Sequence, residues 1–96
     1  MKHYVLFKFE PDYYSEEVLK YTKEVFYSIG KKLDNILNVN VYSNCIIRDS
    51  NMDVMVEMDL ENKESLDSYL NDDLHKVFVD RTDKHLVSRV SFDYED

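Results

Sequence analysis

The chain has 96 residues, 44% of them hydrophobic, which is room for one core and one domain spanning residues 1–96. Its 20 acidic against 12 basic side chains leave a formal charge of −8. Polyanions are therefore repelled, which argues against nucleic acid and membrane surfaces as partners. The single cysteine, Cys45, excludes an intramolecular disulfide and metal clusters built from cysteine pairs.

In chain order, Lys2 to Phe9 alternates with period two, with His3, Val5, Phe7 and Phe9 on one side and Lys2, Tyr4, Leu6 and Lys8 on the other. That pattern predicts a strand. Lys8 and Glu10 break up its apolar run, so the start reads neither as a signal peptide nor as a membrane span, and a cytoplasmic location is expected. Pro11 ends the strand, and Ser15 followed by Glu16 and Glu17 reads as a helix N-cap with acids in the first turn. Val18, Thr22, Val25, Phe26, Ile29 and Leu33 then recur at helical spacing, with Gly30 weakening the helix near its end.

Asp34-Asn35 predicts a turn and Ile36 to Tyr42 a second strand, with Val39 and Val41 on one side and Asn38, Asn40 and Tyr42 on the other. Ser43 to Asn51 reads as a long hairpin connection whose middle, Cys45 to Ile47, is expected to be partly buried, leaving the thiol inert. Met52 to Leu60 predicts a third strand with Val54, Val56, Met58 and Leu60 inward. Asn62 and Asp72 each have the chemistry to cap a helix, the first carrying Leu66, Tyr69 and Leu70, the second Leu74, Val77 and Phe78. Val87 to Tyr94 closes the chain as a fourth strand, with Val90, Phe92 and Tyr94 on one side and Val87, Arg89, Ser91 and Asp93 on the other.

The order is βαββαβ, an α+β, ferredoxin-like arrangement in which helices cover one face of a four-stranded antiparallel sheet. Its uncovered face is expected to carry Tyr4, Leu6, Tyr42 and Met55 with Asn38, Asn40, Arg89 and Ser91. That mixture fits a half-wet contact with a second copy across a two-fold axis, a homodimer forming a barrel with its helices outside.

The segment Lys2-His3-Tyr4-Val5-Leu6-Phe7-Lys8-Phe9 resembles the opening of the stress-responsive A/B-barrel family. Asp53 with Val56-Glu57-Met58, the stretch from Leu66 to Phe78, and the closing Phe92-Asp93-Tyr94 are similar to further motifs of that family in the same order. The resemblance implies a dimeric α+β barrel. Through the family's plant polyketide cyclases it also implies aldol chemistry without a cofactor. Their functional residues fall on His3, Tyr69 and His75, whereas Asp72, Asp73, Val54 and Phe26 stand where the cyclases carry histidine, proline, histidine and tyrosine.

On that model His75 is a general base, Tyr69 orients the substrate, and His3 positions His75 or binds a carbonyl. Beside it stands a plainer reading, in which His3 is a satisfied core histidine, Tyr69 packs in an apolar cluster and His75 faces solvent. Metal ligation by His3, His75 and Asp72 lacks a spaced ligand motif. The acids at Glu16-Glu17 and Asp72-Asp73 read as helix-start charges, and His85 belongs to no motif. Three functions follow: a cofactor-independent lyase or cyclase on a polyketide-like or keto-acid substrate, a non-catalytic dimer binding a small hydrophobic or aromatic molecule, and a cofactor-independent monooxygenase.

Overall fold

The computed structural model describes residues 1–96. Its elements are β1 (Lys2–Phe9), α1 (Glu16–Lys32), β2 (Ile36–Ser43), β3 (Val54–Leu60), α2 (Glu64–Leu70), α3 (Asp73–Thr82), a 3-10 turn (Asp83–His85) and β4 (Leu86–Tyr94). The strands form one antiparallel sheet in the order β2-β3-β1-β4, the ferredoxin-like arrangement. No helix is long and apolar enough to cross a membrane.

Alternation decides the layers. Every second residue of β1 and β3, from His3 to Phe9 and from Val54 to Leu60, is buried against the helices. From above, α1 contributes Thr22, Phe26 and Ile29, and the later helices contribute Tyr69 and Phe78. Ser15 caps α1 by accepting from the Val18 N–H at 3.4 Å. The buried Thr22 and Thr82 hydroxyls donate back to the carbonyls of Val18 and Phe78, which satisfies them inside their own helices. β2 lies at a sheet edge, and the Tyr27 hydroxyl of α1 accepts from the Val41 N–H at 3.1 Å, occupying a donor the ladder leaves free.

Three expectations are corrected. Residues 45–47 are exposed, Cys45 included, and Ile47 is entirely solvated. Polar side chains organise this connection instead: Asn51 donates to the Asn44 side chain and the Ile46 carbonyl, and Arg48 donates to Asn51. The third strand begins at Val54; just before it, the Asp53 carboxylate accepts from the Phe9 N–H, 2.9 Å away.

The third correction concerns β4. Its register pairs Phe7 with Arg89, Val5 with Ser91 and His3 with Asp93. Directly paired residues point to the same side of a sheet. Arg89 and Ser91 therefore face the helices, and Val90, Phe92 and Tyr94 join Tyr4 and Leu6 on the uncovered face. That face is more apolar than expected, with Phe92 66% exposed.

Gly30 brings α1 close to the sheet. A Cβ there would stand 2.8 Å from Cγ2 of Val39, a stiff β-branched side chain on β2. Gly30→Ala gains about 1 kcal/mol in helix propensity but incurs an overpacking cost of about 1–3 kcal/mol. Chemical denaturation should show net destabilisation in the native background and little or none beside Val39→Ala. Equal effects in both backgrounds would mean that the contact is not limiting.

Candidate functional site

Between the sheet and the α2–α3 pair lies a half-enclosed cavity of about 210 Å³. Its polar wall includes His3, Tyr69, His75, Asp83, Arg89, Ser91 and Asp93, and Val5, Leu66 and Leu70 are among its apolar residues. Three larger hollows, of about 260, 390 and 480 Å³, are more open grooves and hold none of these groups. All three residues singled out from the sequence line the same cavity. The ring centroids of Tyr69 lie 5.6 Å from His3 and 4.6 Å from His75. No hydrogen bond joins His3 to His75; the tyrosine ring neighbours both.

His3 is buried in an apolar layer and needs a partner there. Its Nδ1–H donates to Oδ1 of Asp93, the residue opposite it on β4. This fixes the ring and leaves Nε2 as the free nitrogen. Sequence reasoning foresaw the need for a partner but not its identity, because Asp93 is 90 residues away and only the strand register joins the two.

Tyr69 and His75 flank the junction of α2 and α3. Asp72 forms that junction, accepting from the Leu74 N–H at 2.9 Å and pairing with Lys32 of α1 at 2.8 Å. The Lys32 ammonium, together with the Leu74 hydrogen bond, holds the Asp72 carboxyl below its usual range despite burial. The end of α1 is thereby tied to the turn that carries both functional side chains. At the start of α2 the N-cap position falls on Lys63, which makes no side-chain cap, and the Asn62 Oδ1 one residue earlier accepts from the Ser65 N–H at 3.1 Å.

The His75 Nδ1–H donates to the Leu70 carbonyl at 3.3 Å, leaving the Nε2 lone pair free. Burial pushes the imidazole pKa down, against the Leu70 hydrogen bond, and the Arg89 charge lowers it further. His75 is therefore neutral at pH 7. Burial raises the Tyr69 phenol well above its ordinary value, with Arg89 acting the other way, so it remains a hydrogen-bond donor. The site thus holds an unprotonated imidazole beside a protonated phenol, a pairing suited to removing a proton and stabilising the resulting oxyanion. No group of three metal-ligating side chains is gathered anywhere in the chain.

The family model for the stress responsive A/B barrel domain matches residues 1–96. The chain belongs to this family. Among solved structures, a dimeric ferredoxin-like protein of unknown function from Bacteroides fragilis superposes with a TM-score of 0.83 at 24% identity, over 99% of this chain and 94% of that one. A dimeric ferredoxin-like protein of unknown function from Thermobifida fusca gives 0.78 at 16% identity, over 95% and 85%. The hydroxynitrile lyase of Passiflora edulis gives 0.77 at 8% identity, over 97% and 89%. At these identities the likeness is one of fold. No curated protein matches the chain.

Asp72 offers a test of how the A/B-barrel junction is held. Asp72→Ala should cost about 1 kcal/mol or more through loss of the cap. Asp72→Asn keeps an acceptor and loses only the charge. Because the folded pKa lies below 3.8, the contribution of the charge is present above that pH and fades as pH falls through the folded value. Denaturation curves should therefore separate wild type from Asp72→Asn at neutral pH and converge in acid. A gap that persists in acid would contradict the ion pair.

Proposed function

We propose that this A/B-barrel protein is a homodimer whose subunits each catalyse a cofactor-independent lyase or cyclase reaction on a small keto or polyketide-like substrate. One observation carries the catalytic reading: the neutral His75 and the protonated Tyr69 share the wall of a half-enclosed, largely apolar cavity. Its volume is below the ~300–1,000 Å³ of sites for drug-sized ligands, so the substrate is smaller than those.

In the reaction, Nε2 of His75 takes a proton from carbon next to a carbonyl. The C–H electron pair forms the enolate, whose oxygen accepts a hydrogen bond from Tyr69. The enolate carbon attacks a second carbonyl of the same molecule, forming the C–C bond, and the His75 imidazolium returns its proton to the new alkoxide. Lyase chemistry is the same sequence reversed. With its Nδ1–H donated to Asp93, His3 presents Nε2 as an acceptor, which suits a hydroxyl or enol O–H of the substrate rather than its second carbonyl. A fold shared with a hydroxynitrile lyase is consistent with this class of reaction, though it fixes no residue.

The homodimer is supported by the uncovered sheet face. Leu6, Val90, Phe92 and Tyr94 make an apolar patch on a chain too small to bury much surface alone. The similar Bacteroides and Thermobifida proteins are dimeric. In sedimentation velocity the wild type should run as a dimer and Phe92→Asp, altered at an exposed position, should shift toward monomer. A wild type that is monomeric at micromolar concentration would remove the assembly from the proposal.

For catalysis, a screen of aromatic and keto acids should yield a substrate whose turnover falls about 10²–10⁴-fold in His75→Ala while binding persists. The wild-type rate should rise with pH through an apparent pKa below 6.5 and then level off, since only neutral His75 accepts the proton. Binding without turnover in both proteins would leave a ligand carrier. Turnover indifferent to His75→Ala would exclude the assigned base.

A further inference from the structure

Arg89 is the only lysine or arginine lining the cavity, and the β4 register points it at the helix side of the sheet. It forms no ion pair and no side-chain hydrogen bond. Two carboxylates share the wall, but Asp93 is engaged by His3, and Asp83, beyond the end of α3, lies outside ion-pair distance of the guanidinium. Five N–H donors in a fixed planar fork thus stand at the cavity without a protein acceptor. The Arg89 charge also reaches both Tyr69 and His75, which places it near the two groups assigned to the chemistry.

Along β4 the inward positions run Arg89, Ser91, Asp93, so Arg89 and the His3–Asp93 pair are separated by roughly 14 Å at about 3.4 Å per residue. The cavity therefore has a cationic end and a His3–Asp93 end. Resting on the pocket reading above, we infer that the ligand is an acid, and that Arg89 binds its carboxylate and so sets which end of the molecule meets His3. A planar carboxylate matches the fork with two parallel hydrogen bonds, whereas a neutral ester or amide leaves the charge uncompensated. Arg89 is exposed, so water competes for its guanidinium and limits the gain to the lower end of the range for charged hydrogen bonds, about tenfold in affinity.

Phenylpyruvate and its methyl ester form a matched pair of probes, measured by titration calorimetry on the full chain. Wild type should bind the acid about tenfold more tightly than the ester, with the preference shrinking at high salt. Arg89→Gln should bring acid binding down to the ester level while leaving the ester unchanged, and Arg89→Lys should fall between. Ester binding serves as the control that the cavity remains intact. If the ester binds wild type as tightly as the acid, or if Arg89→Gln weakens both alike, the pocket stands and the carboxylate anchor is overturned. If neither probe binds wild type saturably, the pocket reading fails, and the Arg89 inference falls with it.

Discussion

The pairing of β4 with β1 decides what this molecule has inside it. β4 carries two interleaved sets of side chains, Val90, Phe92 and Tyr94 against Arg89, Ser91 and Asp93, and a slip of one residue would exchange them. In the observed register Asp93 stands opposite His3, and a buried imidazole meets the acceptor it needs. Without that acceptor His3 would be an unpaired polar group in an apolar layer. The polar set is thereby turned to the helix side of the sheet, where it stays exposed along one wall of the cavity, and the apolar set is left on the uncovered face. Site and prospective interface are thus two consequences of one alignment.

Helix ends complete the arrangement. Asp72 stops the chain between α2 and α3, holds the first turn of α3 and is gripped by Lys32 from α1. Tyr69 and His75 are brought to face the sheet from either side of that junction, with ring centroids 4.6 Å apart. Loss of solvent then lowers the imidazole pKa and raises that of the almost fully buried phenol, favouring the neutral form of each. The chemistry proposed for the cavity needs both states at once, and one low-dielectric environment supplies them.

Most of the fold was legible because β1, β3 and α1 each have one face against the core, and burial imprints a clean period on such segments. β4 lacks that imprint. It is an edge strand whose apolar set, Val90, Phe92 and Tyr94, lies on the uncovered face, so the rule that apolar residues face the core points it the wrong way. Arg89 and Ser91 were consequently read on the wrong side, and the cavity lost its cation. The exposed Ile46 and Ile47 misled for a related reason: apolar residues in a loop held by Asn44, Arg48 and Asn51 look like core when only hydropathy is read. Gly30 was seen as a weak point in a helix, whereas its closeness to Val39 is a tertiary fact. The histidines and tyrosine of the site were found through resemblance to the family's cyclases; their proximity required the strand register and the Asp72 junction.

The proposed chemistry depends on the state of one imidazole. Nitrogen-detected NMR of the histidine rings, followed through a pH titration, reads both the protonation of His75 and the nitrogen that keeps its hydrogen. A midpoint below 6.5, with the neutral ring holding its hydrogen on Nδ1 toward Leu70, is the predicted result. A midpoint at or above that value, with the hydrogen on Nε2, would mean that His75 is solvated and free, and that the cavity contains no poised base.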